Sequence, residues 1–157
     1  MKGKTKLAIN GLAVAPRMGS PYPAPFAADC AGLAKYRMAD AFGLTQFGVN
    51  LLRMPPGAWS SQRHWHRRED ELIYVLEGMV TLVTDAGEQI LRPGMVVGFK
   101  AGVPDGHHLV NRSDRDALVL EVGTRDAMDE CDYPDIDMLV RIVDGKDRFV
   151  HKDGTPY

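Results

Sequence analysis

The amino-acid sequence predicts an all-β protein in which antiparallel strands form a sandwich or a barrel. Short segments rich in Val, Leu and Ile follow one another through the middle of the chain, and many end at turn-forming residues such as Pro55-Pro56-Gly57 and Asp85-Ala86-Gly87. Short strands at this spacing are typical of sandwiches and barrels, because closing the sheet removes its exposed edges. The predicted strands span residues 46–54, 71–76, 79–84, 89–91, 95–99, 107–112 and 117–122.

The region before these strands is predicted to be an extended arm followed by one strand. Residues 7–26 contain four prolines, which are spaced too closely for a helix interior or a central strand. We expect this arm to lie over the surface of the barrel or over a second subunit. Residues 30–40 are compatible with one helical turn or with an edge strand, and we interpret 34–38 as the strand.

The region after the barrel is predicted to contain a loop and a hairpin. Residues 125–137 are acidic and irregular, which favours a loop. Two apolar runs then flank Asp144-Gly145, a pair that suits a tight turn, so residues 138–152 are predicted to form a hairpin that supports the barrel. His151 in that hairpin is interpreted as an exposed polar residue. The predicted organisation is an arm and edge strand over 1–44, a barrel core over 45–123 and a loop and hairpin over 124–157, all within one domain of 157 residues.

Composition excludes several classes of partner. Hydrophobic residues make up 45% of the chain and charged residues 25%, which is ordinary for a globular protein. A net charge of -2 with dispersed Lys and Arg makes nucleic acid an unexpected partner, and no apolar run is long enough for a membrane span. Because Met1 to Lys6 leads into no long hydrophobic core of a signal peptide, we expect a cytoplasmic protein with Cys30 and Cys131 as free thiols.

The stretch 57–78 brings two histidines and a carboxylate close together in sequence. Successive side chains of a strand point to opposite faces, so His64 and His66 share one face and Trp65 takes the other. Residues 67–70 are too polar for a buried strand and are interpreted as a turn, after which Glu71 opens an antiparallel return strand. This predicted hairpin offers a metal ion two nitrogens and one oxygen.

The stretch 94–111 supplies a further histidine about forty residues later in the chain, and either His107 or His108 is available. Imidazoles together with a carboxylate suit borderline divalent cations such as zinc, nickel and iron. The structural alternative is a barrel that keeps these residues without an ion, or one that uses the ion only to hold strands together. Asn111 is interpreted as a structural turn residue or as a hydrogen-bonding partner behind the ligands.

These two stretches resemble the two motifs of the cupin superfamily. Gly57, His64, His66, Glu71 and Gly78 match the first motif with one extra residue in its first spacer. Gly94, Gly102, His107 and Asn111 match the second, although Lys100 stands where proline is usual and Asp105-Gly106 look inserted. The resemblance covers residues 49–123 and implies a double-stranded β-helix, or jelly roll. It also implies that the metal ligands are His64, His66, Glu71 and His107.

The resemblance further implies an enzyme with one divalent ion, with zinc preferred over manganese, iron and nickel. Small bacterial cupins of this kind resemble sugar-phosphate isomerases, which favours isomerisation of a carbohydrate-like or keto/hydroxy acid substrate. The alternatives are oxygen-dependent cleavage, hydrolysis or lyase chemistry, and a barrel that binds or senses a small molecule without turnover. We also expect a homodimer, because barrels of this family commonly pair.

Proton transfer needs a base that is not itself a metal ligand. The candidates by position are His108, Asp105 and Glu69, each of which lies near a presumed ligand. Guanidinium groups bind phosphate well, so a phosphate on the substrate would be held by arginine. The arginines considered for this role are Arg53, Arg63, Arg67 and Arg112.

Overall fold

The computed structural model describes residues 8–157 and confirms the all-β prediction. Its only α-helix within those residues is the single turn α1, Met38–Ala41. The strands are β1 Arg17–Met18, β2 Ala34–Arg37, β3 Phe47–Met54, β4 Trp65–His66, β5 Glu71–Glu77, β6 Val80–Thr84, β7 Gly87–Leu91, β8 Val96–Phe99, β9 His108–Val110, β10 Ala117–Thr124, β11 Cys131–Tyr133, β12 Met138–Val143 and β13 Lys146–Val150.

The strands form three antiparallel sheets. The largest has the order β1-β2-β3-β10-β5-β8, a second has the order β7-β6-β9, and a third has the order β13-β12-β11-β4. The apolar core lies between the first two sheets, because both contribute buried side chains to one cluster. Fully buried members of that cluster include Leu52, Val75, Leu109 and Val119.

The inner face of the six-stranded sheet changes from apolar to polar along its strands. Leu52 of β3 and Val119 of β10 face the core. Side chains two residues apart on a strand share a face, so Asn50 and Glu121 point to the same side. Ile73 of β5 likewise shares its inward face with Glu71. The barrel is therefore packed at one end and lined by polar groups at the other.

The N-terminal region contains the predicted arm, the predicted strand and also a helical turn. Within the described residues the arm contains a 3₁₀ turn at Gly11–Ala13 and the short strand β1, which pairs with β2. The predicted strand at 34–38 is confirmed as Ala34–Arg37, and the helical turn α1, Met38–Ala41, follows it directly. Because β1 pairs outside it, β2 is not an edge strand. Leu7, predicted to begin the arm, and Met1 to Lys6 lie outside the described residues.

The C-terminal hairpin is confirmed, whereas two predictions about neighbouring segments are wrong. Strands β12 and β13 flank Asp144 and Gly145, whose φ angles of 53° and 71° suit a tight hairpin turn. Residues 125–137, predicted to be a loop, contain β11, which pairs with both β12 and β4.

The second wrong prediction is the hairpin between His66 and Glu71. Strand β4 pairs with β11 in the four-stranded sheet, while β5 belongs to the six-stranded sheet. Residues 67–70 therefore carry the chain from one sheet to the other. Hydrogen bonds from downstream residues hold this crossing, because the N–H of Arg67 donates to the carbonyl of Glu130 and the N–H of Arg68 donates to Asp129.

Both cysteines are buried and free, as predicted. Across residues 8–157, no helix has both the length and the apolar character needed to cross a bilayer.

Candidate metal centre

The four predicted ligands come together where the three sheets meet. His64 pairs with His107 through two backbone hydrogen bonds, with N···O distances of 3.2 and 2.9 Å. The Nε2 atoms of His64 and His66 are 3.1 Å apart, and Nε2 of His107 lies 3.0 Å from Oε2 of Glu71. One ligand atom from each of His64, His66 and Glu71 fits within 4.8 Å of the others. His64, His66 and Glu71 thus form one close cluster, and His107 joins it through its contact with Glu71.

Hydrogen bonds at Nδ1 orient two of these rings. Nδ1 of His64 donates to the carbonyl of Gln62 at 2.9 Å, which leaves its Nε2 as an acceptor. Nδ1 of His66 donates to Oδ2 of Asp129 at 2.6 Å. The His107 ring stacks on Phe99, with centroids 3.4 Å apart, and its Nδ1 makes a longer hydrogen bond of 3.4 Å to the carbonyl of Asp105. Each ring turns Nε2 towards the cluster, which is the arrangement that second partners impose on histidines that bind metals.

Burial and neighbouring charges set the protonation of the cluster. Burial, assisted by the charge of His66, lowers the pKa of His64 to about 3. Burial also acts against a charge on His66, yet the hydrogen bonds to Asp129 and Cys131 outweigh it and raise the pKa of His66 to about 11. Burial opposes ionisation of Glu71, but the hydrogen bond with His107 and the charges of the histidines keep its pKa below the usual range. His64 is therefore neutral and Glu71 ionised at neutral pH.

The donor chemistry of this cluster fits a divalent cation. Three imidazole nitrogens and one carboxylate form a set that zinc, iron, nickel and manganese all accept. His64 and Glu71 are already in the protonation states that binding requires, and His66 has to lose one proton. The residues that would hold the ion are His64, His66, Glu71 and His107.

His107 rather than His108 joins the cluster. The ring of His108 packs edge-on against Trp59, with centroids 4.5 Å apart. Its Nδ1 donates to the carbonyl of Ser61 at 3.0 Å. Strand alternation explains the difference, because neighbouring side chains point to opposite faces.

Sequence reasoning missed two residues that contact the cluster, Asp129 and Cys131. Cys131 lies opposite His66 in the pairing of β11 with β4, and its Sγ is 3.3 Å from Nδ1 of His66. Asp129 binds His66 with one oxygen and accepts the N–H groups of Arg68 and Glu69 with the other, at 2.7 and 3.2 Å. No sequence signal places these residues here, because a partner behind a ligand can come from any segment.

The comparisons with known proteins agree with this geometry. A family model described as a cupin domain matches residues 50–123. The crystal structure of a sugar phosphate isomerase from a cupin superfamily, from Silicibacter pomeroyi, is similar at 43% identity over 96% of each chain, with a TM-score of 0.90. The chain belongs to the cupin superfamily. Its fold is a cupin β-barrel, as the sequence motifs predicted.

Other cupin structures resemble this cupin less closely. A protein from Acidithiobacillus ferrooxidans, provisionally named a sugar phosphate isomerase, shares 28% identity over 80% of each chain with a TM-score of 0.72. A polyketide cyclase from Streptomyces resistomycificus shares 20% identity, covers 76% of this chain and 79% of its own, and has a TM-score of 0.59, which shows the fold alone. No curated protein matches the chain significantly.

A large cavity opens beside the candidate metal centre of this cupin. Its volume is about 630 Å³, and all four predicted ligands line it. It is also lined by Lys35, Asn50 and Glu121. A second cavity of about 240 Å³ lies against three of the ligands and is also lined by Trp65, Phe99 and Lys100.

The three candidate bases occupy different surroundings. Glu69 lines both cavities together with His66 and Glu71, and burial raises the pKa of its carboxyl group. Asp105 lines the smaller cavity, where its Oδ1 accepts the N–H of Asp85 at 2.9 Å. His108 is held against Trp59, as described above. Glu69 is thus the candidate base whose position and protonation both suit proton transfer.

The arginines considered for phosphate binding are each occupied by carboxylates. Arg63 binds Asp135 at 2.6 Å and also Asp85, and Arg67 binds Asp132 at 2.8 Å. Arg112 forms a two-pronged pair with Glu88, and Arg53 lies 3.8 Å from Asp116. The cationic side chains that line the large cavity are instead Arg17, Lys35, Arg37 and Arg125.

Asn111 has a structural role, as predicted, whereas His151, predicted to be exposed, is half-buried and paired with a carboxylate. The buried amide of Asn111 donates to the carbonyls of Met54 and Arg115, both at 2.7 Å, and so joins two turns of the barrel. Nδ1 of His151 lies 2.8 Å from Asp137, within the C-terminal region.

Proposed function

We propose that this cupin is a divalent-metal-dependent isomerase that acts on a carbohydrate-like or keto/hydroxy acid substrate, with sugar phosphates as the leading class and zinc as the preferred ion. The observation that carries the proposal is the convergence of three imidazoles and a carboxylate on the wall of a polar cavity of about 630 Å³. Cavities of this size hold small-molecule ligands. The likeness to the Silicibacter pomeroyi protein supports the same reaction class.

The ligands His64, His66, Glu71 and His107 would hold the ion, which when bound polarises a carbonyl group and steadies two neighbouring oxygens. Isomerisation moves a proton between adjacent carbons, and Glu69 is placed to carry it. Its carboxylate accepts the proton from one carbon and returns it to the next. The hydrogen bond from the N–H of Asp126 to Oε1, at 2.8 Å, fixes the side chain, and burial raises the pKa of its carboxyl group, which makes its carboxylate a stronger base.

Metal analysis combined with a substrate panel tests this proposal. We expect wild-type protein to retain about one divalent ion per chain and to interconvert at least one aldose and ketose phosphate pair, or the two isomers of an acid that carries adjacent keto and hydroxy groups. His66→Ala should lose both the ion and the turnover. His151→Ala is the matched control, because His151 binds Asp137 in the C-terminal region and should retain both.

Besides wild-type protein that carries no divalent ion, two results would contradict the proposal. One is turnover in His66→Ala at the wild-type rate. The other is wild-type protein that carries the ion and binds members of the panel without converting any of them, which would favour a non-catalytic binding barrel.

A second copy of the chain is the proposed partner. Leu72, Tyr74 and Leu76 of β5 and Val96 of β8 lie on the outer face of the six-stranded sheet, and Tyr74 is directly opposite Val96. Leu72 is 43% exposed and Val96 57% exposed, which is unusual for a patch of large apolar side chains on one face. Two copies that meet through this face would bury the patch in a self-complementary contact.

A further inference from the structure

A second polar cluster faces the large cavity and has no part in the candidate metal centre. The ammonium group of Lys35 lies 3.0 and 3.3 Å from the two carboxylate oxygens of Glu121. The amide of Asn50 donates to the same carboxylate at 2.6 Å. The side chains of Lys35 and Glu121 are only 23% and 17% exposed. A carboxylate, an ammonium group and an amide therefore line the cavity together.

The strand register places this cluster beside the candidate ligand Glu71. Glu121 is opposite Asn50 on β3 and opposite Ile73 on β5. Glu71 is two residues from Ile73, so it is the diagonal neighbour of Glu121 on the same face. Such neighbours lie about 7–8 Å apart. A substrate chain of a few carbons can therefore contact both Glu121 and the ligand set.

Two glycines keep the sheet surface beside Glu71 open. Gly123 pairs with Glu71 on one side and with Gly48 on the other, and both glycines line the cavity. A Cβ atom at Gly123 would come within 3.2 Å of the carbonyl of Asp70. Because neither residue has a side chain, the cavity wall beside Glu71 is flat.

The cluster keeps hydrogen-bonding capacity after its internal contacts are made. A carboxylate accepts about four hydrogen bonds, and the internal contacts of Glu121 use three. The ammonium group of Lys35 has three N–H donors and uses two of them on Glu121. An ion pair that is half-buried, as Lys35 and Glu121 are, stabilises a fold less than apolar packing at the same position would, so a contribution to stability explains this pair poorly.

We propose that Lys35, Asn50 and Glu121 form a subsite that binds hydroxyl groups of a polyhydroxy substrate chain. Glu121 accepts hydrogen bonds from hydroxyl groups, and Lys35 and Asn50 donate to hydroxyl oxygens. The subsite deepens the proposed isomerase function, on which it rests, because it identifies the substrate as a polyol-like chain whose carbonyl end lies at the candidate metal centre. Sequence reasoning did not single out these three residues.

Ribitol 5-phosphate and pentyl phosphate are matched probes, because they have the same chain length and differ in their hydroxyl groups. We expect calorimetry to show that wild-type protein binds ribitol 5-phosphate more tightly. Glu121→Gln keeps the shape of the side chain and an acceptor for Lys35 and Asn50. It should weaken ribitol 5-phosphate binding about 10- to 100-fold, as loss of a charged hydrogen-bond partner does, and leave pentyl phosphate within about twofold.

The exchanged variant Lys35→Glu/Glu121→Lys separates binding from folding, because it restores the ion pair with its charges reversed. If these residues form the subsite, the exchanged variant should have a thermal stability close to wild type and should bind ribitol 5-phosphate weakly. Full recovery of that binding in the exchanged variant would show a purely structural pair and overturn the proposal. A wild-type protein that does not prefer ribitol 5-phosphate over pentyl phosphate, or an unchanged affinity in Glu121→Gln, would also overturn it.

Metal content, measured on every sample, distinguishes failure of the subsite from failure of the proposed function. If wild-type protein carries no ion, the isomerase proposal fails, while the comparison of the two probes still decides the subsite. If the ion is present and the preference for hydroxyl groups is missing, only the subsite fails.

Discussion

Replacing Asp129 with asparagine should weaken metal binding without unfolding the protein. Oδ1 of Asp129 accepts two backbone N–H groups, and an asparagine oxygen can keep both contacts. The amide nitrogen then faces Nδ1 of His66, where the carboxylate oxygen accepted a hydrogen bond at 2.6 Å. Two donors cannot face each other, so Nδ1 of His66 has to lose its proton and Nε2 has to carry one. The atom that points at the ligand cluster is then blocked.

The expected loss is about 10- to 100-fold in zinc affinity, which corresponds to about 1.4–2.8 kcal/mol. Competition titrations against a fluorescent chelator would measure it, with thermal unfolding recorded in parallel. Asp132→Asn is the matched control, because Asp132 lies three residues after Asp129, in β11, and binds Arg67 and Arg141 instead. Zinc affinity within twofold of wild type in Asp129→Asn would refute the reasoning.

Three further predictions follow from the protonation, packing and surface of this cupin. His66 has a pKa raised to about 11, whereas His64 is neutral and Glu71 ionised, so zinc binding to chelator-stripped protein should displace one proton. Zinc affinity should therefore rise about tenfold per pH unit between pH 6 and 8. A zinc affinity that does not change with pH in competition titrations would contradict this. Leu52→Ala should cost about 2–5 kcal/mol in urea denaturation, since the side chain is fully buried, and a loss below about 1 kcal/mol would place it outside the core. Leu72→Glu should shift a dimer to the 17.3 kDa monomer in light scattering, and a wild-type mass of 17.3 kDa would contradict the dimer itself.

The sequence was sufficient for most of the barrel, because local signals determine it. Short runs rich in Val and Leu define strands such as β3 and β10, and Asp144-Gly145 defines the last hairpin through backbone angles that few other pairs adopt. His64 and His66 share a face for the same reason of alternation, so their convergence follows from spacing alone.

The features that the sequence did not predict depend on contacts between segments that are distant in sequence. Strand β11 has three residues and its partner β4 has two, so neither shows a periodic pattern long enough to identify. Asp129 reaches His66 only because β11 pairs with β4. Glu121 is recognisable in the sequence as a charged residue within the apolar strand β10. Its inward direction, however, depends on a register that the neighbouring strands fix.

The pairing of β4 with β11 also determines how much chain the candidate centre requires. The segment matched by the cupin family model, residues 50–123, contains all four predicted ligands but neither Asp129 nor β11. A minimal barrel excised at those boundaries would keep its histidines and lose the carboxylate that orients one of them. Transferring this chemistry to another scaffold therefore requires the segment after residue 123 that carries Asp129 and β11, in addition to the barrel.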